Sequence, residues 1–304
     1  MRAARIREFG GPGVIRIEDI PRPEPGPGQV LVEVAATSFN PTELALRSGA
    51  LRQVVPVSPP LTLGWDFAGT IAEVGAGVRG HAPGDRVVGW TDGAAAEFAV
   101  ASTFVAAPGR VPLVDAAAIP LAGLTAWQAV EQARIEPGER VLVNGAGGGI
   151  GGFVVQLARR AGARVIATAG PRSAAAVRRF GAERLIDYTT TSLGDALDGP
   201  VDLLFNLVGL PKAEGDALVR LVKPGGRVVS VTNHLDVPHE SRVRAAHVLV
   251  RNDPRDLQAL VSLVDDGEIE LDVTEHHALA ELPRIHRRGE NGEIRGKVVI
   301  VIRA

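Results

Sequence analysis

The run "NGAGGGIGG", Asn144 to Gly152, places six glycines in nine residues between an apolar segment, "ERVLVN", and a helical pattern. From Ile150 onward the apolar residues Ile150, Phe153, Val154, Leu157, Ala158 and Ala161 fall at the spacing of one helix face. Strand, glycine turn and helix in that order commit the chain to a β-α unit and so to a parallel sheet covered by helices. A helix N-terminus offers unpaired N–H groups and the positive end of its dipole, so a glycine-lined approach there suits a phosphate. Gly147, Gly149 and Gly152 satisfy G-x-G-x-x-G, with Gly148 and Ile150 inside the turn, in the setting that marks a dinucleotide pyrophosphate site. Phe153 stands where a phosphate-binding P-loop would require Lys.

The β-α alternation continues through "ARVIAT", a helix around Ala174 to Phe180, "RLIDY", "DLLFNLVG" and "GRVVSVT" after the turn "KPGG". The segment from Asp253 to Gly267 reads as a capped helix, with Pro254 at its first position. The first hundred residues differ: "QVLVEVAAT", "FAGTIAEVG", "DRVVGW" and "AAEFAVAS" are short β-rich runs between Gly and Pro turns, with "PRPEPGPGQ" an extended connector. The tail, "IELDVTEHHAL" and "RGKVVIVI", returns to strands. The expected organisation is α/β: a β-rich domain over 1–115 completed by 268–304, with a doubly wound nucleotide domain over 116–267 inserted.

A fold of this kind that prefers NAD carries Asp or Glu about twenty residues past the glycines, on the ribose 2′-hydroxyl. Here that place reads "ATAGPRS", Ala167 to Ser173, with no acid before Glu183. Arg172 and Ser173 are therefore expected to take a 2′-phosphate, which points to NADPH. A charge-assisted hydrogen bond contributes about 1.5 to 3 kcal/mol, enough to set that preference. Tyr188, the only tyrosine, closes "LIDY" and is placed to shut the same pocket.

Composition narrows the field by exclusion. The net charge of -2, with both signs scattered, offers no footprint for nucleic acid or a membrane surface. No cysteine is present, which removes disulfides, thiolate nucleophiles and Cys-based zinc sites. "MRAARIREFGGPG" lacks a signal-peptide apolar region, and Val114 to Val130 contains Asp115, Pro120 and Gln128, so a cytoplasmic protein with no membrane span is expected. No G-x-S-x-G elbow points to hydrolysis.

The runs "FNPTELALRSG", "LGWDFAGTIAEVGAGV", "PGDRVVGW", "IPLAGLTAWQAV", "PGERVLVNGAGGGIGG", "GAERLIDYTT", "KPGGRVVSV" and "RGKVVIVI" resemble, in order and spacing, the medium-chain dehydrogenases/reductases, and within them the zinc-independent quinone oxidoreductases related to zeta-crystallin. The resemblance spans nearly the whole chain. It implies a GroES-like catalytic domain and a Rossmann domain with NADPH between them, hydride transfer to a quinone or an α,β-unsaturated ketone, Thr125, Val208, Gly209 and Val231 near the nicotinamide, and Asn40 in "NPTE" as the oxyanion donor. Glu43 stands where the family pattern has Asp, and Arg47 either holds Glu43 or approaches the substrate. Asn40 and "GWD" occupy the places of zinc ligands in the zinc-dependent relatives, so no metal is expected. His276 and His277, adjacent on a strand, should face opposite ways. Trp65 and Trp90 are cleft or core. A trans-acting enoyl reductase of acyl or polyketide synthesis and a non-catalytic NADPH-binding protein are the alternatives. The strand "HVLV" suggests pairing across a two-fold axis, so a homodimer is expected.

Overall fold

Short apolar runs punctuated by Gly and Pro build the first strands. The computed structural model describes residues 1–53 and 56–303, the side chain of Gln53 apart. They form two compact units, Met1–Leu121 with Asn252–Ala304, and Ala122–Arg251. In the first, strands β1 (Arg2–Ile6), β2 (Ile15–Asp19), β3 (Val30–Ser38), β4 (Leu61–Thr62), β5 (Asp66–Val74), β6 (Arg86–Trp90), β7 (Phe98–Ala101) and β8 (Phe104–Ala106) are joined by turns and by helices α1 (Thr42–Ser48) and α2 (Leu113–Ala116). β3 pairs antiparallel with both β5 and β7, and its residues Val30, Leu31, Val32 and Val34 are fully buried. It is the spine of this unit.

The second unit alternates α3 (Pro120–Ala133), which starts at the unit boundary, β9 (Arg140–Asn144), α4 (Gly149–Arg160), β10 (Arg164–Thr168), α5 (Pro171–Arg179), β11 (Arg184–Ile186), α6 (Leu193–Ala196), β12 (Val201–Asn206), α7 (Lys212–Val219), β13 (Val222–Ser230) and β14 (Arg244–His247). The six strands are parallel in the order β11-β10-β9-β12-β13-β14. That is a doubly wound Rossmann-type sheet, whose order reverses between β9 and β12; ligands of such sheets bind beyond the strands' C-terminal ends at that switch. Leu142, Ile166, Ile186, Leu204 and Val228 form the core on one face. The expected strand over "HVLV" lies earlier, at Arg244–His247, because β14 pairs with β13 only as far as Ser230.

The chain then returns to the first unit through α8 (Pro254–Asp265), β15 (Val273–Ala278), α9 (Leu282–Glu290) and β16 (Lys297–Val301). β16 pairs antiparallel with β3 and parallel with β15, completing a seven-stranded sheet. Asp253 caps α8 as its residue type predicts. The sequence reading placed this helix in the nucleotide domain; the Asp265 carboxylate accepts the N–H groups of Gly109 (2.7 Å) and Arg110 (2.9 Å), and α8 is counted with the first unit.

α9 buries His286 completely, edge-on to Phe39 with ring centroids 5.4 Å apart. Neither ring nitrogen has a hydrogen-bond partner, and burial, then the charge of Arg47, pushes its pKa down to about 3. In the unfolded chain the ring titrates near 6.5, so between about pH 6.5 and 3 the unfolded state binds more protons and the fold weakens as pH falls. His286→Phe should flatten the pH dependence of Tm across this window, removing a slope of up to about 1.4 kcal/mol per pH unit; an unchanged slope would contradict the assignment.

Candidate active site

β9 ends at Asn144, and the chain turns at Gly145 with φ +91°, a left-handed conformation that glycine tolerates at least cost. A Cβ there would lie 2.6 Å from Val208 Cγ2. One at Gly151 would lie 2.5 Å from both Ala146 Cα and the Gly145 carbonyl, so the first turn of α4 packs directly on the loop before it. Gly147 leaves room for the Ser173 hydroxyl, 2.3 Å from where its Cβ would stand, and Gly152 faces the Phe180 ring. Gly145, by its positive φ, and Gly151, by its contact with backbone atoms, are thus constrained although they lie outside the motif positions. Gly148 is the N-cap of α4 and offers no side-chain acceptor, so the N–H groups at Gly149 and Ile150 open a helix end suited to an anion.

β10 ends at Thr168, and α5 begins at Pro171 after Gly170. Arg172 is exposed on its first turn, while Ser173 is buried and donates to the Gly170 carbonyl at 3.3 Å. Tyr188, 59% exposed, reaches the same corner, its hydroxyl 3.5 Å from where a Gly170 Cβ would be. Gly147, Ser173 and Tyr188 are therefore gathered where the sequence reading put the 2′-phosphate. Val208 and Gly209 are exposed just past β12, Val231 follows β13 with its N–H on the Asn206 carbonyl (3.1 Å), and Thr125 is buried on α3. Beneath the turn lies a row that sequence reasoning missed. Thr168, Asn144, Asn206 and Ser230 are the last residues of β10, β9, β12 and β13, and all four are buried. Their signal was visible: each apolar strand closes on a polar residue.

In the first unit, five polar side chains meet inside the core. Asn40 Nδ2 donates to Asp66 Oδ2 at 2.8 Å and to the Ser38 carbonyl at 3.3 Å, and its Oδ1 accepts from Lys297 Nζ at 2.8 Å. Asp66 also accepts from the Ser38 hydroxyl and, at 2.7 Å, from the Leu121 N–H, with Lys297 Nζ 3.5 Å away. Glu43 accepts from the Asn40 N–H at 3.2 Å. Burial, then the charge of Asp66, raises its pKa to about 8, so it is protonated at neutral pH. Burial likewise pulls Lys297 down, against the pull of Asp66 and Glu43. Arg47 does not hold Glu43: it is buried and pairs with Glu290 on α9, leaving Nε and Nη1 without partners. Trp65 and Trp90 are both half-buried, and Trp65 Nε1 donates to Asp92 at 3.1 Å.

Residues 26–110 match the family described as the alcohol dehydrogenase GroES-like domain, and residues 180–300 that described as zinc-binding dehydrogenase. The chain is 30% identical to the chloroplast envelope quinone oxidoreductase homolog of Arabidopsis thaliana, over 99% of this chain and 98% of the relative. It is 37% identical to mouse quinone oxidoreductase, over 76% and 73%. The chain belongs to the quinone oxidoreductase branch of the medium-chain dehydrogenases/reductases. Another relative, the NADPH-dependent alkenal/one oxidoreductase of Arabidopsis thaliana, is 30% identical over 78% of this chain and 64% of its own length. The solved quinone oxidoreductase of Coxiella burnetii superposes with a TM-score of 0.90 at 31% identity, covering 100% of this chain and 99% of that one. A mycobacterial protein solved in complex with NADPH gives 0.88 at 26%, covering 99% and 100%.

The buried cluster offers an amide and carboxylates but no imidazole or thiolate, and the Lys297 Nζ lies among them, 2.8 Å from Asn40 Oδ1 and 3.5 Å from Asp66, a donor set poorly suited to zinc. His276 and His277 point apart, His276 to Asp115 (2.6 Å) and His277 to Glu275 (2.7 Å) and Glu281 (3.2 Å). No cluster of His, Asp and Glu among the described residues is disposed to bind a metal.

Glu43 sets a pH dependence opposite to that of His286. Its folded pKa, about 8, exceeds the unfolded value, so its contribution is complete below about pH 4.5 and is lost as pH rises through 8. Glu43→Gln should abolish that loss, seen as a stability difference from wild type that widens from pH 5 to 8 in urea titrations. A difference constant with pH would refute it.

Proposed function

We propose that the chain is an NADPH-dependent reductase of quinones or α,β-unsaturated carbonyl compounds that works without a metal. The glycine turn carries this reading: Gly145 and Gly151 keep the loop tight against α4, the helix end lacks a side-chain cap, and Arg172 and Ser173 stand where NAD-preferring folds place a carboxylate. These residues fit NADPH, which when bound supplies the hydride. The N–H groups at Gly149 and Ile150 hold the pyrophosphate, Gly148 closes the turn beneath it with its own N–H on the Gly145 carbonyl (3.2 Å), Gly152 lets α4 pack closely, and Arg172, Ser173 and Tyr188 enclose the 2′-phosphate. Thr125, Val208, Gly209 and Val231 line the nicotinamide end.

Hydride addition to a conjugated acceptor leaves negative charge on a carbonyl oxygen, and Asn40 is our choice of donor to it. The Lys297 ammonium on its Oδ1 polarises the amide and strengthens its N–H groups as donors. The contact with the Ser38 carbonyl, at 3.3 Å the longer of its two donor contacts, is the one surrendered to substrate. Glu43 fixes the Asn40 backbone, and Arg47, tied to Glu290, anchors α1 behind it. The resulting enolate takes its proton from solvent. One such donor contributes about 2.7 to 4 kcal/mol to lowering a barrier of this type.

A cytoplasmic homodimer belongs to the same reading. The location rests on the sequence alone; the dimer is supported by β14, which pairs only with β13 among the described residues, and by Leu249 beside it, 73% exposed. No helix among the described residues is long and apolar enough to cross a membrane.

Chelator-treated protein should oxidise NADPH with a benzoquinone or a linear 2-alkenone, and the better acceptor names the substrate class. No turnover with either, while NADPH binds, would favour a dedicated acyl substrate or a binding role. Arg172→Ala should raise the KM for NADPH about tenfold and leave that for NADH nearly unchanged. Equal losses with both cofactors would overturn the 2′-phosphate assignment.

A further inference from the structure

The buried polar row at the C-terminal edge of the parallel sheet spans the switch point, and its hydrogen bonds run in one direction. The Gly145 N–H donates to Thr168 Oγ1 (2.8 Å), whose hydroxyl donates to Asn144 Oδ1 (3.1 Å). Asn144 Nδ2 donates to Asn206 Oδ1 (3.0 Å), and Asn206 Nδ2 to the Val208 carbonyl (2.9 Å). The second Asn206 hydrogen is shared by Ser230 Oγ and Thr232 Oγ1, both at 3.4 Å, and the Thr232 hydroxyl lies 3.0 Å from the same Val208 carbonyl. Asn144 and Asn206 are direct partners in the β9–β12 ladder, the two strands between which the sheet order reverses.

Buried amides are costly unless every donor and acceptor is paired, and an aligned chain of them polarises cooperatively. Apolar residues would fill these four strand ends as well as they fill the strands below. What the row adds is a fixed partner for one backbone group in each of two loops: the N–H that opens the glycine turn and the carbonyl that opens the Val208–Gly209 loop. Those loops hold opposite halves of the dinucleotide in the function proposed above, on which this inference rests.

We propose that Asn144 and Asn206 are positioning residues that lock the two cofactor-binding loops to each other across the switch point, so that the nicotinamide half is seated only when the glycine turn is in place. Asn206→Asp separates the links. It keeps an oxygen to accept from Asn144 but sets a carboxylate oxygen against the Val208 carbonyl. Thr232→Val removes the other donor near that carbonyl from an exposed position, where folding is not at stake.

The test is calorimetric titration of wild type, N206D, T232V and the double variant with NADPH and with adenosine 2′,5′-bisphosphate, which engages only the glycine-turn and α5 side. N206D should weaken NADPH about tenfold or more while the bisphosphate changes less than about twofold. T232V should act in the same direction, and the pair should be non-additive, since both reach one carbonyl. Parallel weakening of the two ligands that tracks the fall in Tm, or wild-type NADPH affinity in both single variants, would overturn the inference. Should wild type bind neither ligand, the NADPH reading itself fails.

Discussion

A parallel sheet whose strand order reverses leaves two neighbouring strand ends from which the chain departs toward opposite faces, and the crevice between them must be floored by something. In this protein the floor is a hydrogen bond between two buried amides, Asn144 and Asn206, flanked by Thr168 and Ser230. The glycine turn above follows from the same constraint. Gly145 must adopt φ +91° to leave β9, and Gly151 must lack a side chain for α4 to sit on Ala146. The loop, the helix end and the polar row are one structural solution, because moving the row takes the Gly145 N–H from Thr168 and leaves the Val208 carbonyl to Thr232 alone.

The first unit solves a different electrostatic problem with similar economy. Asp66 and Lys297 are both buried, and each would be untenable alone. Asn40 touches both charges, and Asp66 is further satisfied by Ser38 and the Leu121 N–H, while Glu43 stays protonated and adds no second negative charge. β3, α1, β5 and β16 each contribute a member, so the cluster ties together the central strand and the C-terminal return of the chain.

Much of this was legible beforehand, for identifiable reasons. Strand and helix periods are local properties, so β3, β5, β6, β9, β10 and β12 stood out as apolar runs, and the glycine run announced its helix. The missing carboxylate singles out Arg172 and Ser173, and the end of "LIDY" Tyr188; the structure brings the Ser173 and Tyr188 side chains to the Gly147 and Gly170 turns, and their ligand is a proposal. Three-dimensional partners were not local. Lys297 reaches Asn40 across more than two hundred residues, and nothing in "RGKVVIVI" marks its ammonium as buried. For Arg47 the sequence offers Glu43, near in the chain, or the substrate, whereas packing of α9 gives it Glu290. The end of β14 was misplaced by three residues because "HVLV" is apolar enough to be a strand, yet pairing stops where β13 stops.

The central claim is transfer of hydride from NADPH to a conjugated carbonyl without a metal, and isotope transfer tests it most directly. Chelator-treated protein would be incubated with a linear 2-alkenone and NADPH deuterated at C4 on either face, and the saturated ketone analysed by mass spectrometry and NMR. The account predicts one deuterium at the carbon β to the carbonyl from one of the two labelled faces, and a solvent proton at the α carbon. Saturated ketone without deuterium from either face, or turnover that returns only when a divalent metal is restored, would contradict it.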